Sequence, residues 1–310
     1  MRRALWTLCC LAMLGLAACG GGHSRPKRAP QAVPNGHYGH PKKIQHASGE
    51  TFVPGRARRV VVLTPGAADT TLALGVKPVG AAGRPSGGFP GYLAARLGGV
   101  RDLGPPYRLS LPRIRALHSE LILGSQRRQG SLFEQLRVIA PTVMSPPPRI
   151  GPGTPRQWRL MSRLYAEALG RVDEGEAMLR RYDALAAGVR RRFGPGARRL
   201  RVAAIEALPS GARLAGLDSF AAAVLLDAGV RGARPRGISR ALPPQRYARL
   251  PADLVLVSAV DGAERTLAGL RRGLRARTVV VPDELWWRGE GPLASAAALG
   301  ELERLVRRPG

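Results

Sequence analysis

The chain has 310 residues, 45% of them hydrophobic, and its 49 Lys and Arg against 21 Asp and Glu give a formal net charge of +28. That length and apolar share can bury one large or two medium cores. The charge is carried almost wholly by Arg spread along the chain rather than gathered on one helix, and aromatic residues are only 5%; composition therefore argues against nucleic-acid binding and favours anionic ligands, anionic lipid head groups or wall polymers.

Residues 1–19 read as an export signal. Arg2 and Arg3 precede an apolar run that ends in Leu16-Ala17-Ala18-Cys19 before Gly20-Gly21-Gly22, and the run is shorter than the ~20 residues needed to span a bilayer. Small residues leading into a Cys resemble the bacterial lipobox, in which the Cys is acylated, becomes the mature N-terminus and anchors the protein to the cell membrane outside the cytoplasm. Cys19 is the expected lipidation site. Cys9 and Cys10 lie inside the signal, so neither a disulfide nor a cysteine metal site is expected in the mature chain. Residues 20–58, rich in Gly, Pro, basic residues and His, show no sustained apolar period and are expected to form a flexible tether. Its histidines, His23, His37, His40 and His46, have no scaffold in sequence to fix ligand geometry and read as solvated linker rather than as a metal site.

The folded part begins with the strand-like run Val60 to Leu63, the turn Thr64-Pro65-Gly66, a helix from Ala67 to Leu74 closed by Gly75, and a strand from Val76 to Ala81. A helix over Leu109 to Leu117, a strand over Glu120 to Leu123, a helix over Ser131 to Ile139 and a strand over Thr142 to Met144 continue the βαβ pattern of an open parallel sheet. A helical period runs through Trp158, Met161, Leu164, Tyr165 and Leu169, breaks at Gly170, and resumes from Ala177 to Val189 before the stop signal Phe193-Gly194-Pro195-Gly196. A second α/β series follows: strands at Leu200 to Ile205, Asp253 to Ser258 and Thr278 to Pro282, and helices at Phe220 to Ala228, Glu264 to Leu274 and Leu293 to Val306. The expected architecture is α/β, with two open parallel-sheet lobes at residues 59–153 and 196–310, joined by a long helical segment at 154–195.

Arg59 to Ala81, RVVVLTPGAADTTLALGVKPVGA, resembles the opening of the type III solute-binding proteins, which deliver iron-siderophore complexes, haem or cobalamin to ABC importers. The similarity continues through Leu103-Gly104, SLPRIRALHSELILGS (Ser110 to Ser125), Ala140 to Val143, Ala166 to Arg171 and Leu225 to Gly229, so it covers nearly all of the chain beyond the tether. The resemblance implies two lobes on one rigid backbone helix, a bulky chelate in the cleft between them, ABC permease subunits as partners, and no catalysis and no resident cofactor; a monomer is expected. A ferric siderophore is the expected ligand, with cobalamin or haem as alternatives.

Ligands of open α/β sheets bind beyond the carboxyl ends of the strands, which singles out Arg84, Tyr92, Gln126, Arg127, Arg128 and Ser145 in the first lobe. In the second, the same rule selects Glu206, Asp218, Ser219, Ser258, Asp261, Trp286, Trp287 and Arg288. Trp286 falls where relatives keep a ligand-facing Trp, and Arg127, Arg128 and Arg288 could grip carboxylate, phosphate or catecholate oxygens in pairs. The body offers a single His, His118, which argues against direct metal capture, and Tyr92 is the one placed candidate for a haem ligand. No Gly-x-Ser-x-Gly elbow, phosphate-cradling loop or His-carboxylate constellation appears, so an enzyme is not expected. The resemblance also implies one surface Glu per lobe for permease docking, yet those positions are Pro112 and Gln245. Glu120 and Glu264 are the nearest substitutes, and a surface sensor or anionic-polymer binder that no longer docks is the alternative.

Overall fold

A computed structural model describes residues 41–84, 86–147, 157–232 and 237–307; the signal, Cys19, His23, His37 and His40 lie outside the described residues. The expected tether ends earlier than residue 58. A hairpin of β1 (Lys42–His46) and β2 (Gly49–Val53) buries Ile44, Thr51 and Val53 on one face. The Thr51 hydroxyl donates to the Thr142 carbonyl at 2.9 Å and Ala47 N to that of Met144 at 3.1 Å, so the hairpin lies against the first sheet. His46, rather than being solvated, packs edge-on against Phe133 and hydrogen-bonds Thr51 at 2.8 Å.

The first sheet is wholly parallel, in the order β5-β4-β3-β6-β7, from β3 (Val60–Val62), β4 (Gly80–Ala81), β5 (Arg101–Asp102), β6 (Leu121–Ser125) and β7 (Thr142–Ser145). Its order reverses between β3 and β6, which places a crevice at the carboxyl ends of those two strands. Helices α1 (Pro65–Ala73), α2 (Gly91–Ala94), α3 (Leu111–Arg115), α4 (Gln126–Gln129) and α5 (Phe133–Ile139) connect them. Thr64 starts α1 by accepting from Ala67 N at 3.1 Å, with Pro65 in the first turn where its missing N–H costs nothing.

The segment between the lobes comprises two helices, α6 (Gln157–Ala168) and α7 (Val172–Phe193), packed on each other. Gly170, at φ 66° and tight against the Gly55 carbonyl, makes the break. The 22-residue α7 is the backbone helix, with Asp173 and Glu174 in its first turn and Arg190 to Arg192 in its last, both suited to the helix dipole.

The second sheet is mixed rather than parallel throughout. β8 (Arg201–Leu208) pairs in parallel with β10 (Arg231–Gly232) and β12 (Leu254–Ala259), and β12 with β13 (Arg277–Val280). The antiparallel members are β9 (Gly211–Leu214) and β11 (Arg240–Leu242). Gly211, at φ 135°, returns the chain directly from β8 into β9, so the strand expected to stop at Ile205 runs on to Leu208. Helices α8 (Phe220–Asp227), α9 (Glu264–Gly273), α10 (Asp283–Trp286) and α11 (Pro292–Arg307) complete the lobe.

One continuous apolar core runs from the inner face of each sheet through α1, α6, α7 and α11, and each sheet carries a second core on its outer face. The last helix, α11, touches α1, α2, α7 and α8, so it belongs to both lobes. Its first free amides, Leu293 N and Ala294 N, both donate to the fully buried Asp69 carboxylate of α1 at 2.8 Å. Burial raises this carboxyl to about pH 7 as its half-titration point, against the lowering effect of the two amides and Arg96. Because the folded-state value lies above the unfolded one, this group's stabilisation is full in acid and is lost as pH rises through about 7. Asp69→Asn gives up one acceptor and melts below wild type at pH 5. In thermal melts the gap should narrow by about 2–4 kcal/mol between pH 5 and pH 8; a constant gap would refute the assignment.

Candidate functional site

The carboxyl ends of the two sheets face each other across a cleft lined by Ser125, Arg127, Arg128, Ser145 and Pro146 from the first lobe. Gln157, Trp158 and Met161 of α6 form its floor, and Asp218, Phe220, Trp287, Gly289 and Glu290 come from the second lobe. Arg127 is exposed and has no carboxylate partner among the described residues. Arg128 reaches across to Glu290, Nη2 to Oε1 2.7 Å. One polar atom of the lining, Trp158 Nε1, is buried without a hydrogen-bond partner among the described residues. Such a group carries an uncompensated desolvation cost that a ligand can relieve. Trp158 is held in place by an edge-on contact with Tyr182, ring centroids 5.1 Å apart, and by Arg159 stacked over it at 4.9 Å.

On the second lobe the strand ends share one charged network. Glu206, fully buried, accepts from Arg213 Nε at 2.8 Å and from Arg288 Nη2 at 3.1 Å. Arg288 also donates to Asp283 at 3.0 Å, and the same carboxylate accepts from the Ser258 hydroxyl at 2.9 Å. Arg213 lies 4.8 Å over the Trp287 ring, which places a cation behind an aromatic wall of the cleft. Asp218 is fixed by Ser239, accepting from its N at 2.6 Å and its Oγ at 2.7 Å, while Ser219 caps α8 through Ala222 N.

The cleft thus brings together Arg127, Arg128, Ser145, Asp218 and Trp287 of the residues expected there. Glu206, Ser258 and Arg288 stand behind its second wall as supports. Trp286 is not on the cleft: it is fully buried, and its Nε1 donates to Glu301 at 2.7 Å. Gln126 turns to the N-terminal hairpin and accepts from the Ser48 hydroxyl. Arg84 pairs with Glu284 at 3.3 Å, and Gly91 N donates to the same carboxylate at 3.0 Å, a second tie between lobes. Tyr92 lies in the seam rather than the cleft; its buried, unpartnered hydroxyl is held above the ordinary tyrosine range by burial and by the nearby charges of Asp69, Glu290 and Glu284. Asp261 is exposed in a turn. His118 is also exposed, at φ 45°, and its carbonyl accepts from Arg59. Pro112 and Gln245 are exposed, as is Glu264, but Glu120 is buried, accepting from Arg58 N and Arg59 N, and cannot serve a docking surface.

Trp158, Met161, Phe220 and Glu290 were not foreseen in the cleft. Trp158 and Met161 already stood in the apolar period of α6, and the face turned to the cleft differs from the face turned to the core only in three dimensions. Among the described residues no group of three or more His, Cys, Asp or Glu could hold a metal, and no helix is long and apolar enough to cross a membrane.

No protein-family model matches the chain. It is 29% identical over 192 residues to the probable siderophore-binding lipoprotein YfiY of Bacillus subtilis, covering 61% of this chain and 57% of that one. It is 33% identical over 106 residues to the putative ABC transporter substrate-binding lipoprotein YhfQ of the same organism, covering 34% and 33%. The matched regions therefore span just over half of one relative and a third of the other. Staphylococcus aureus SirA, solved in complex with staphyloferrin B, superposes with a TM-score of 0.71 at 23% identity over 86% of this chain and 98% of that one. In sequence the chain is similar to a probable siderophore-binding lipoprotein and a putative ABC transporter substrate-binding lipoprotein, and it has the two-lobed fold of SirA. The proteins it resembles are substrate-binding proteins, not enzymes.

Two substitutions separate support from lining. Glu206→Ala takes from Arg213 its carboxylate and leaves Arg288 with Asp283 alone, and since both guanidinium groups can still hydrate, urea unfolding should register a loss of about 1–3 kcal/mol. Trp287→Phe should lower the unfolding free energy by at most about 1 kcal/mol, because the half-buried ring packs against the core and Phe keeps an aromatic face for Arg213.

Proposed function

We propose that this protein captures a bulky anionic ferric chelate, a ferric siderophore, in the inter-lobe cleft. The observation that carries the reading is the pair Arg127 and Arg128 at the sheet's switch point, facing Trp287 across a floor containing Trp158, with Arg213 stacked behind the Trp287 ring. Guanidinium groups hold carboxylate and catecholate oxygens with parallel donors, and flat aromatic walls suit a chelate's rings and apolar arms. The names of its relatives, one of them a siderophore-binding lipoprotein, point the same way. Haem fits less well because Tyr92, its candidate axial ligand, is sealed in the seam, and cobalamin because Trp286, the Trp expected to face it, is buried with its indole N–H on Glu301.

We place the protein outside the cytoplasm, held to the membrane by acylated Cys19, with ABC permease subunits as the receiving partner. Around Pro112 and Gln245 each lobe exposes arginines, Arg113 and Arg115 on one and Arg246 and Arg249 on the other. A receiving surface that complements them is acidic. The alternative, a surface sensor or anionic-polymer binder without an importer, draws on the same basic surface.

Trp158 and Trp287 make tryptophan fluorescence a direct readout. Titration with ferric staphyloferrin B or a ferric tris-catecholate should quench emission with a Kd at or below about 1 μM, and Arg127→Ala/Arg128→Ala should weaken binding about 100-fold or more, two charge-assisted contacts being lost. Saturation by a wall polyanion with no response to any ferric chelate would overturn the siderophore reading. Separately, Cys19→Ser should move the protein from the membrane to the soluble extracytoplasmic fraction on cell fractionation.

A further inference from the structure

The acid that faces Arg128 has a role of its own. We propose that Glu290 is an internal competitor for the ligand: it holds Arg128 across the closed cleft, and an anionic group of the incoming chelate must displace it. The inference rests on the anionic-chelate reading and adds to it the residue that opposes binding. Arg128 and Glu290 come from different lobes, meet at 2.7 Å, and keep only about a quarter of their side-chain surface exposed, at 26% and 27%. With the pair formed, the cleft leaves about 170 Å³, below the roughly 300–1,000 Å³ of pockets that hold ligands of this size. The ion pair therefore stands in the volume the chelate must occupy.

The two carboxylates of the lining are not equivalent. Asp218 is pinned by two hydrogen bonds from Ser239, so it is part of the wall. The Glu290 carboxylate has Arg128 as its one hydrogen-bond partner among the described residues, so no second hydrogen bond fixes it in the lining. Glu290 follows Gly289 and precedes Gly291, which is packed against Asp69, so its flanking backbone is glycine on both sides. An anion first meets the unpaired Arg127, then exchanges with Glu290 on Arg128. The exchange replaces one charge-assisted bond by another, while the expelled carboxylate turns to water. A cation gains nothing from Arg128 and loses the attraction of Glu290, so the pair screens ligands by charge.

The test uses the full chain with ferric citrate as an anionic probe and ferrioxamine B as a cationic one. Glu290→Gln should tighten ferric citrate about five- to tenfold, the equivalent of releasing a partly exposed ion pair, and leave ferrioxamine B unchanged or weaker. Arg128→Gln should weaken ferric citrate. An unchanged or weaker affinity of Glu290→Gln for ferric citrate overturns the proposal. If neither wild type nor variant binds any ferric chelate, the functional reading fails, and the latch is judged without ligand by thermal melts. A double variant that melts no lower than the lower of the two single variants supports it, and additive shifts reject it.

Discussion

The cleft depends on one buried carboxylate. Asp69 projects from the first helix of the first lobe and takes the two leading amides of the last helix of the chain. A helix start offers unsatisfied donors and a partial positive charge, so an acid buried there is the favourable partner, and only the absence of a side chain at Gly291 allows so close an approach. This contact joins residues more than two hundred positions apart and ties the first helix of the first lobe to the last helix of the chain, above a core continuous through both. The Arg84 to Glu284 and Arg128 to Glu290 pairs lie on the same seam, but they are partly solvated and contribute less.

Placement of the few acids decides what the many arginines can do. With 49 basic and 21 acidic side chains, carboxylates are too few to pair one-to-one with the arginines, and those on the outer surface are left mostly to water. At the cleft the acids are arranged selectively. Glu206 and Asp283 neutralise Arg288, Glu206 also fixes Arg213 behind Trp287, and Glu290 occupies Arg128. Arg127 is left unneutralised in the lining. The positive potential of the site therefore comes from where carboxylates are withheld, and the chain's overall charge adds only a long-range attraction that salt screens within about 10 Å.

Much of this architecture was legible in the sequence because the buried strands and helices carry their own periodicities. Val60 to Val62, Leu121 to Leu123 and Leu254 to Val257 are apolar runs covered on both faces, and α7 shows one apolar stripe between a charged start and an Arg-rich end. The hairpin at 42–53 was hidden by composition: Lys43, Gln45 and Glu50 on its exposed face mask Ile44, Thr51 and Val53, whose alternation is the strand signal. β9 was hidden because Gly211 reads equally as a loop and as a tight reversal.

The site was less legible, and Trp286 and Trp287 show why. They are adjacent, at the end of a four-residue helix too short to show a periodicity, so sequence pattern cannot say which one faces the core. What decides is a partner fifteen residues on: Glu301, on the buried side of α11, accepts the Trp286 indole N–H, because an indole taken out of water needs that bond. Trp287 is then turned to the opposite side, where Arg213 meets its ring. Glu290 gave still less warning, as a single acid in a glycine-flanked loop. Its importance comes from the residue it touches on the other lobe. Residues that form an element announce themselves by spacing along the chain; residues that form a cleft between two lobes acquire their roles only when the seam closes, and here that closure rests on Asp69.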